Sequence, residues 1–466
     1  MPNEAGHQRT VIGAAALSAM LAPLNSTMIV VALPALLRQF DRSLAWGSWI
    51  IISYLVAMAT VQPLSGSLGD RLGRRRLMLL GLIAFLAASL LAALAWNIEV
   101  LLLARTAQAI AGAVAIPNGA ALVRAELPVE RQGSALGTVG GAVAIAAGLG
   151  PTLGGVLTDL AGWRWIFALN IVLIIPALVL LLRLSDRPAT GPARRFDLLG
   201  ATLLTTTLVT LVLAVTLLRV PSAPSLFTAT LAVVGLGGGG LLLRHIARNP
   251  HPLVSPALFR APGYSAAVFG VLLTNLAMYT VLLSLPLFLA ADAGWNPGAT
   301  GLLLSGLSLQ MVVFSPLGGR LADGRGFRLP AVLGALLILL GLLPLVAISS
   351  TWSWPMYLGA LILIGIGTGL ATAPIQASAL LAVPAAQAGQ ASGFYSTMRY
   401  LGSIAGSTMM AALLAGEHPA LGHVRALYAL LCIFAVAGVV VCAQLPGLAR
   451  EPVESDALAA GSAAPR

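Results

Sequence analysis

Two arginines stand where a charge is hardest to keep. Arg105 and Arg399 each lie inside a long apolar run, at opposite depths. A cation in hydrocarbon costs several kcal/mol unless it faces a cavity, a partner or a ligand, so each is a functional-site residue by default. Other polar residues fall at similar depth in other runs: Asn25, Ser26 and Thr27, Tyr54 and Gln62, Gln108 and Asn118, Asn275 and Tyr279, Gln310, Gln376 and Tyr395. Singly, each suits a hydrogen bond between helices. Together with Arg399 they suit the wall of a large, mostly apolar substrate pocket. Acids are missing from that depth: Glu99, Asp159 and Asp292 fall near one set of run ends, Asp70 and Glu126 near the other. The five histidines also lie outside mid-run positions. A proton carrier must change charge near working pH, which leaves Asp70, Asp159 and Glu126, acting with Arg105. A cavity with two arginines and no acid favours neutral or anionic amphiphiles over multiply cationic ones.

The elements that carry these residues are membrane spans. Of the 466 residues 58% are hydrophobic and 9% charged, with mean hydropathy +0.95, which excludes a soluble domain and defines an all-α polytopic membrane protein. There is no lysine; all 26 basic residues are arginine, and 19 of them sit in the loops and tails of one side. That bias places both termini in the cytoplasm and accounts for the net charge of +11 without nucleic acid. Tryptophans near the opposite span ends suit an interfacial belt. The first apolar run is too long for a signal-peptide core and reads as an uncleaved span. Cys432 and Cys442 share the last run and read as small core residues. No metal-ligand spacing, nucleophile constellation or nucleotide loop is present, so neither an enzyme nor a cofactor is expected.

About fourteen apolar runs are long enough to cross a bilayer, among them 48–68, 77–96, 98–122, 134–159 and 392–415. Between the second and third lies Gly66–Arg76, a basic, glycine-containing stretch read as a cytoplasmic loop. Its pattern recurs. Pro63–Arg75 set over Pro316–Arg328 matches at seven of thirteen positions, including Gly66/Gly319, Asp70/Asp323, Gly73/Gly326 and Arg75/Arg328. Two halves on one plan are common in secondary transporters. The expected division is 1–184, a six-helix bundle; 185–263, a two-helix insert with cytoplasmic linkers; 264–449, a second six-helix bundle; and 450–466, a disordered tail. Gly133, Gly137 and Gly141, then Gly150 and Gly154, are small residues spaced for close helix contact, and Pro151 bends the same run.

With these features in view, the chain resembles the major facilitator superfamily, specifically its fourteen-span drug:proton antiporters. Gly66–Arg76 is similar to that family's signature between spans 2 and 3, Leu24–Pro34 to its span 1 motif, Arg105–Gln108 to its span 4 motif with Ala109 in place of a glycine, and Gly148–Gly155 to its span 5 antiporter motif. The resemblance implies two six-helix bundles plus two inserted helices, in the inner membrane of a bacterium, exporting drug-like molecules by alternating access in exchange for protons. It implies an inner gate of Asp70, Arg71 and Arg74, to which the glycines Gly66 and Gly73 and the repeat's Asp323 are added; proton coupling through Arg105, with Asp70 and Asp159 as the acids left to act with it; and rocking about Gly148, Gly150, Pro151, Gly154 and Gly155. The expected partners are a small-molecule substrate, protons and the lipid bilayer, and the expected state is a monomer. Asn25 departs from the pattern, since many members have aspartate there. It makes a proton-independent carrier or an importer of a specific metabolite the rival reading, with a non-transporting sensor or assembly partner behind it.

Overall fold

The computed structural model describes residues 4–42, 44–185, 197–218, 224–249, 252, 256–383, 388–414 and 421–447. Most of the linker expected at 185–195, and the tail expected at 450–466, fall outside these. Every regular element among the described residues is helical, as lipid requires of a spanning chain that must satisfy its backbone polar groups internally. The helices are α1 (Glu4–Phe40), α2 (Leu44–Leu72), α3 (Arg74–Ala93), α4 (Ile98–Gly112), α5 (Ala115–Glu126), α6 (Val129–Leu160), α7 (Arg164–Leu182), α8 (Leu198–Leu217), α9 (Ser225–Arg248), α10 (Tyr264–Asp292), α11 (Pro297–Arg325), α12 (Arg328–Leu345), α13 (Trp354–Leu381), α14 (Ala388–Leu413) and α15 (Leu421–Cys442). Twelve helical segments among the described residues are long and apolar enough to cross a membrane, with α4 and α5 together forming one of them. Two more long helices, α2 and α14, are not among these twelve; of α2, the described stretch Trp49–Gln62 is apolar. In α14 the shortfall comes from Ser396, Thr397, Arg399, Ser403, Ser407 and Thr408.

The stretch expected to be a loop at Gly66–Arg76 is not one. Helix α2 runs on to Leu72 and α3 begins at Arg74, so Gly73 alone makes the turn, at φ 86°. The repeat is met the same way: α11 continues to Arg325 and Gly326 turns the chain at φ 77°. A side chain at either glycine would sit in the left-handed region that L-residues disfavour by about 1–2 kcal/mol. The single span expected at 98–122 is also interrupted, at Ala113–Val114 between α4 and α5.

Helices α1 to α7 pack on one another, α10 to α15 do likewise, and α8 pairs with α9. Arginines fasten the third and last helices of each group at both ends. Arg75 Nε, on α3, donates to the carbonyl of Leu181 on α7 (2.8 Å), and its repeat partner Arg328, on α12, donates to Leu445 just beyond α15 (2.9 Å). At the far ends Arg164 of α7 donates to Ala95 (3.0 Å), and Arg425 of α15 donates to Ile348 (3.1 Å). A cation on the last carbonyls of a helix satisfies orphan acceptors and complements the dipole. The two groups meet along α6 against α11 and along α2 against α14.

Candidate functional site

Arg105 is fully buried, at 0% exposure. Its Nη1 donates to Asn25 Oδ1 (2.8 Å) on α1 and to Gln108 Oε1 (3.1 Å) one turn along α4. Gln108 Nε2 donates to Ser89 Oγ (2.8 Å) on α3, and Asn170 Nδ2 on α7 donates to the same oxygen (3.1 Å). Asn25 Nδ2 closes the ring by donating to Asn170 Oδ1 (2.5 Å). Four helices are thereby tied through one uncharged polar ring around a single cation. The guanidinium carbon lies 4.2 Å from the centroid of the Tyr54 ring and 5.9 Å from that of Phe167, while Tyr54 Oη donates to the Ala22 carbonyl (3.1 Å). Arg105 Nε and Nη2 have no hydrogen-bond partner among the described residues.

The second group of helices brings its own cation close. Arg399, half-buried on α14, lies 5.1 Å from the ring of Tyr400. Tyr54, Tyr279 and Tyr400 are within electrostatic range of one another and of one or both arginines, so the two cations flank a tyrosine-rich centre drawn from α2, α10 and α14. Tyr279 Oη donates to Ser26 Oγ (3.1 Å), and Thr397 Oγ1 donates to the Ala59 carbonyl (3.3 Å), both across the junction. The centre is packed in this conformation. Arg105, Tyr54, Tyr279 and Tyr400 are all buried.

The other expected pocket residues have varied surroundings, Tyr395 within electrostatic range of Arg399. Asn118 donates to the Ser65 and Val114 carbonyls (3.1 and 2.9 Å) and sits against Gly69, fastening α5 to the end of α2 rather than lining the centre. Thr27 and Asn275 bond within their own helices, to Pro23 and Leu24 and to Val271. Gln376 is exposed, Gln310 is half-buried, and Gln62 Oε1 and Tyr395 Oη are buried without a partner among the described residues. Asn170, Ser89 and Tyr400 were not among the expected residues. Asn170 was discoverable as a lone amide in one of the most apolar runs, whereas Ser89 and Tyr400 gave no comparable signal.

The expected antiporter motif has two faces. A Cβ on Gly154 would come within 2.5 Å of the Met28 carbonyl, and Gly150 lies against Thr27, so this pair admits α1. On the other face, a Cβ on Gly148 would lie 2.7 Å from Val312, one on Gly155 2.5 Å from the Pro297 carbonyl, and the Pro151 carbonyl abuts Gly301. These positions admit α11. Gly141 continues that stripe seven residues back, yet a Cβ built on it or on Gly140 would meet nothing within 4 Å among the described residues. The close contact expected of Gly141 is therefore not made with any described residue; Gly133 and Gly137 fall outside the residues whose surroundings are described. The seam is shut at the end marked by Gly155 and Gly301, and toward the arginine-rich end a Cβ on Gly141 meets nothing among the described residues. Asp159 is exposed beside the shut end, with its carboxylate against Gly298 in the first turn of α11.

At the arginine-rich end, Arg74 Nη1 donates to the Ala121 carbonyl (2.6 Å) and ties α3 to α5. Asp323 is exposed near the end of α11. The surroundings of Gly66, Asp70 and Arg71 lie outside the described residues.

Two packed groups of membrane helices, meeting at a polar, cation-bearing centre, define a transporter. The chain belongs to the Major Facilitator Superfamily, whose model matches residues 15–407 and also 267–463. It is 33% identical over 406 residues to the uncharacterized MFS-type transporter YvkA of Bacillus subtilis, covering 86% of this chain and 89% of that one. It is 34% identical over 393 residues to the multidrug resistance protein Stp of Mycobacterium tuberculosis, covering 84% and 73%. It is 28% identical over 410 residues to the tetracenomycin C resistance and export protein of Streptomyces glaucescens, covering 87% and 75%.

Proposed function

We propose that this protein exports small amphiphilic, drug-like molecules across a bacterial inner membrane, by alternating access and in exchange for protons. The observation that carries the reading is the seam between α6 and α11. It is shut where Gly155 meets Gly301, while toward the other end a Cβ on Gly141 meets nothing among the described residues, and the polar centre holds an incompletely partnered cation. A rocking motion that reversed the seam would expose the centre to the opposite side. The names of the multidrug-resistance and tetracenomycin relatives support export of drug-like cargo. The proposed topology has fourteen spans and cytoplasmic termini: 1–184 and 264–449 form the rocking halves, 185–263 is an insert, and the protein works as a monomer. Asp70 and Arg71, with Gly66, Gly73, Arg74 and Asp323, form the inner gate.

Protons enter this scheme through Asp159. Its carboxylate, on one half, faces the N-terminal turn of α11, on the other, where the helix dipole favours an anion. Protonation removes that attraction and loosens the outer closure, so proton arrival from outside is linked to opening on that side. The second reading, a proton-independent carrier, is favoured by Asn25, which gives Arg105 an amide where a carboxylate could have taken up a proton.

Reconstituted vesicles separate the two. With the protein inserted so that its outer face meets the lumen, uptake of ethidium and of 1-naphthamide is measured above the leak of protein-free vesicles, with and without an acid lumen. Antiport predicts faster uptake with the acid lumen in wild type and loss of that stimulation in Asp159→Asn. Uptake indifferent to the gradient in wild type selects the proton-independent carrier.

A further inference from the structure

We propose that the Nε–Nη2 edge of Arg105 is a binding site for the carboxylate of an anionic amphiphile, so that the preferred cargo carries one negative charge. The inference rests on the transport reading above and deepens it by naming the substrate class. A guanidinium has five N–H donors. Here the two on Nη1 are accounted for by Asn25 and Gln108, and the guanidinium carbon lies over the Tyr54 ring. The three left open belong to Nε and Nη2, all in a side chain with no exposure. Nε–H and one N–H of Nη2 point the same way along one edge, in the fork that receives the two oxygens of a carboxylate.

No acid among the described residues pairs with that edge. The ion pairs among the described residues include His7–Glu126, Arg42–Glu99 and His245–Asp197, and none of these involves Arg105. Asp70 lies sixteen residues along α2 from Tyr54, about 24 Å at 1.5 Å per residue. Glu130 lies twenty residues along α6 from Gly150, which touches the neighbour of Ser26 on α1, and that separation is about 30 Å. A water would satisfy the donors and leave the charge uncompensated, which is the costly state for a buried ion. An external anion satisfies both. Phe167, Tyr54, Tyr279 and Tyr400 supply apolar and aromatic surface for the rest of such a molecule, and Arg399 adds a second positive charge. The site is closed in this conformation, so the ligand enters when the halves separate.

The test uses the full-length protein in lipid nanodiscs, titrated calorimetrically with 1-naphthoate and with 1-naphthamide, which share shape and differ in charge. Empty nanodiscs supply the background. Wild type is expected to bind the acid at least tenfold more tightly than the amide, about the value of one charge-assisted hydrogen bond. Arg105→Gln removes the preference. Arg105→Lys keeps the charge without the fork and leaves a reduced preference. Asn25→Asp, nearly isosteric, sets an internal carboxylate on Nη1 and brings the preference below threefold; this variant keeps the test usable if Arg105→Gln does not fold. Equal binding of acid and amide, no acid binding above background, or a preference that survives both Arg105→Gln and Asn25→Asp overturns the proposal. Gradient-driven uptake of 1-naphthamide without any acid preference would sink this inference and leave the export reading standing. Acid preference with no uptake of any probe would do the reverse.

Discussion

Tyr54 touches the buried cation in a way that separates two contributions. Its ring lies under the Arg105 guanidinium, and its hydroxyl is bonded to the Ala22 carbonyl. Tyr54→Phe keeps the ring and drops the hydroxyl, so the loss is about 1 kcal/mol, the net value of one neutral hydrogen bond. Tyr54→Leu also drops the cation–π contact, worth about 2 kcal/mol when desolvated. Thermal unfolding in detergent should therefore rank wild type, Phe and Leu in that order, with the larger step between Phe and Leu. A larger first step would mean the hydroxyl, not the ring, carries the effect. Much of this site was legible because polarity inside an apolar run is itself informative: Arg105, Asn25, Gln108 and Tyr54 were all found that way. Polarity at depth does not say which face of a helix a residue takes. That is why Asn118 was expected in the pocket and instead fastens α5 to α2. Ser89 accepts two bonds at the hub of the ring, but serine is too common in apolar helices to stand out.

Among the elements, α6 shows why glycine spacing alone does not define contact. Gly154 and Gly140 are both interior glycines of one helix, in opposite surroundings. Gly154→Ala drives a methyl into the Met28 backbone, which cannot move as a flexible side chain would, and overpacking of this kind costs about 1–3 kcal/mol. Gly140→Ala meets nothing among the described residues and gains helix propensity, about 0.5–1 kcal/mol. Opposite shifts in unfolding temperature are expected. Loss of stability in both would mean α6 packs more tightly near Gly140 than its surroundings indicate. The Gly66–Arg76 stretch carries the same lesson. Its glycines and charges read as a loop in water, but Gly73 suffices for the turn, and the rest continues α2 because a helix satisfies its own backbone next to lipid.

For the whole molecule, the internal repeat was the strongest signal, and its physical content is the arginine fastening. Arg75 and Arg328, matched in sequence, hold equivalent helix ends in the two groups; Arg164 and Arg425 do so on the far side without any sequence match having marked them. Each group is stapled internally at both ends. Motion is therefore expected between the groups, along α6 against α11, and not within them. Gly141 reads out that motion. It shares a helical stripe with Gly148 and Gly155, which are jammed against α11, yet it meets nothing itself among the described residues. In a background where the native cysteines of α15 are replaced by alanine, Gly141→Cys reports what that open space contains. A thiol in a water-filled opening ionises and reacts with a charged methanethiosulfonate, whereas one facing lipid stays protonated and does not. Rapid labelling from the arginine-rich side is expected, and labelling should slow when the outer closure is weakened by Asp159→Asn, because halves that open outward close over Gly141. Labelling from neither side would show that the stripe faces lipid at this level. Labelling unchanged by Asp159→Asn would break the link between the outer contact and the inner opening.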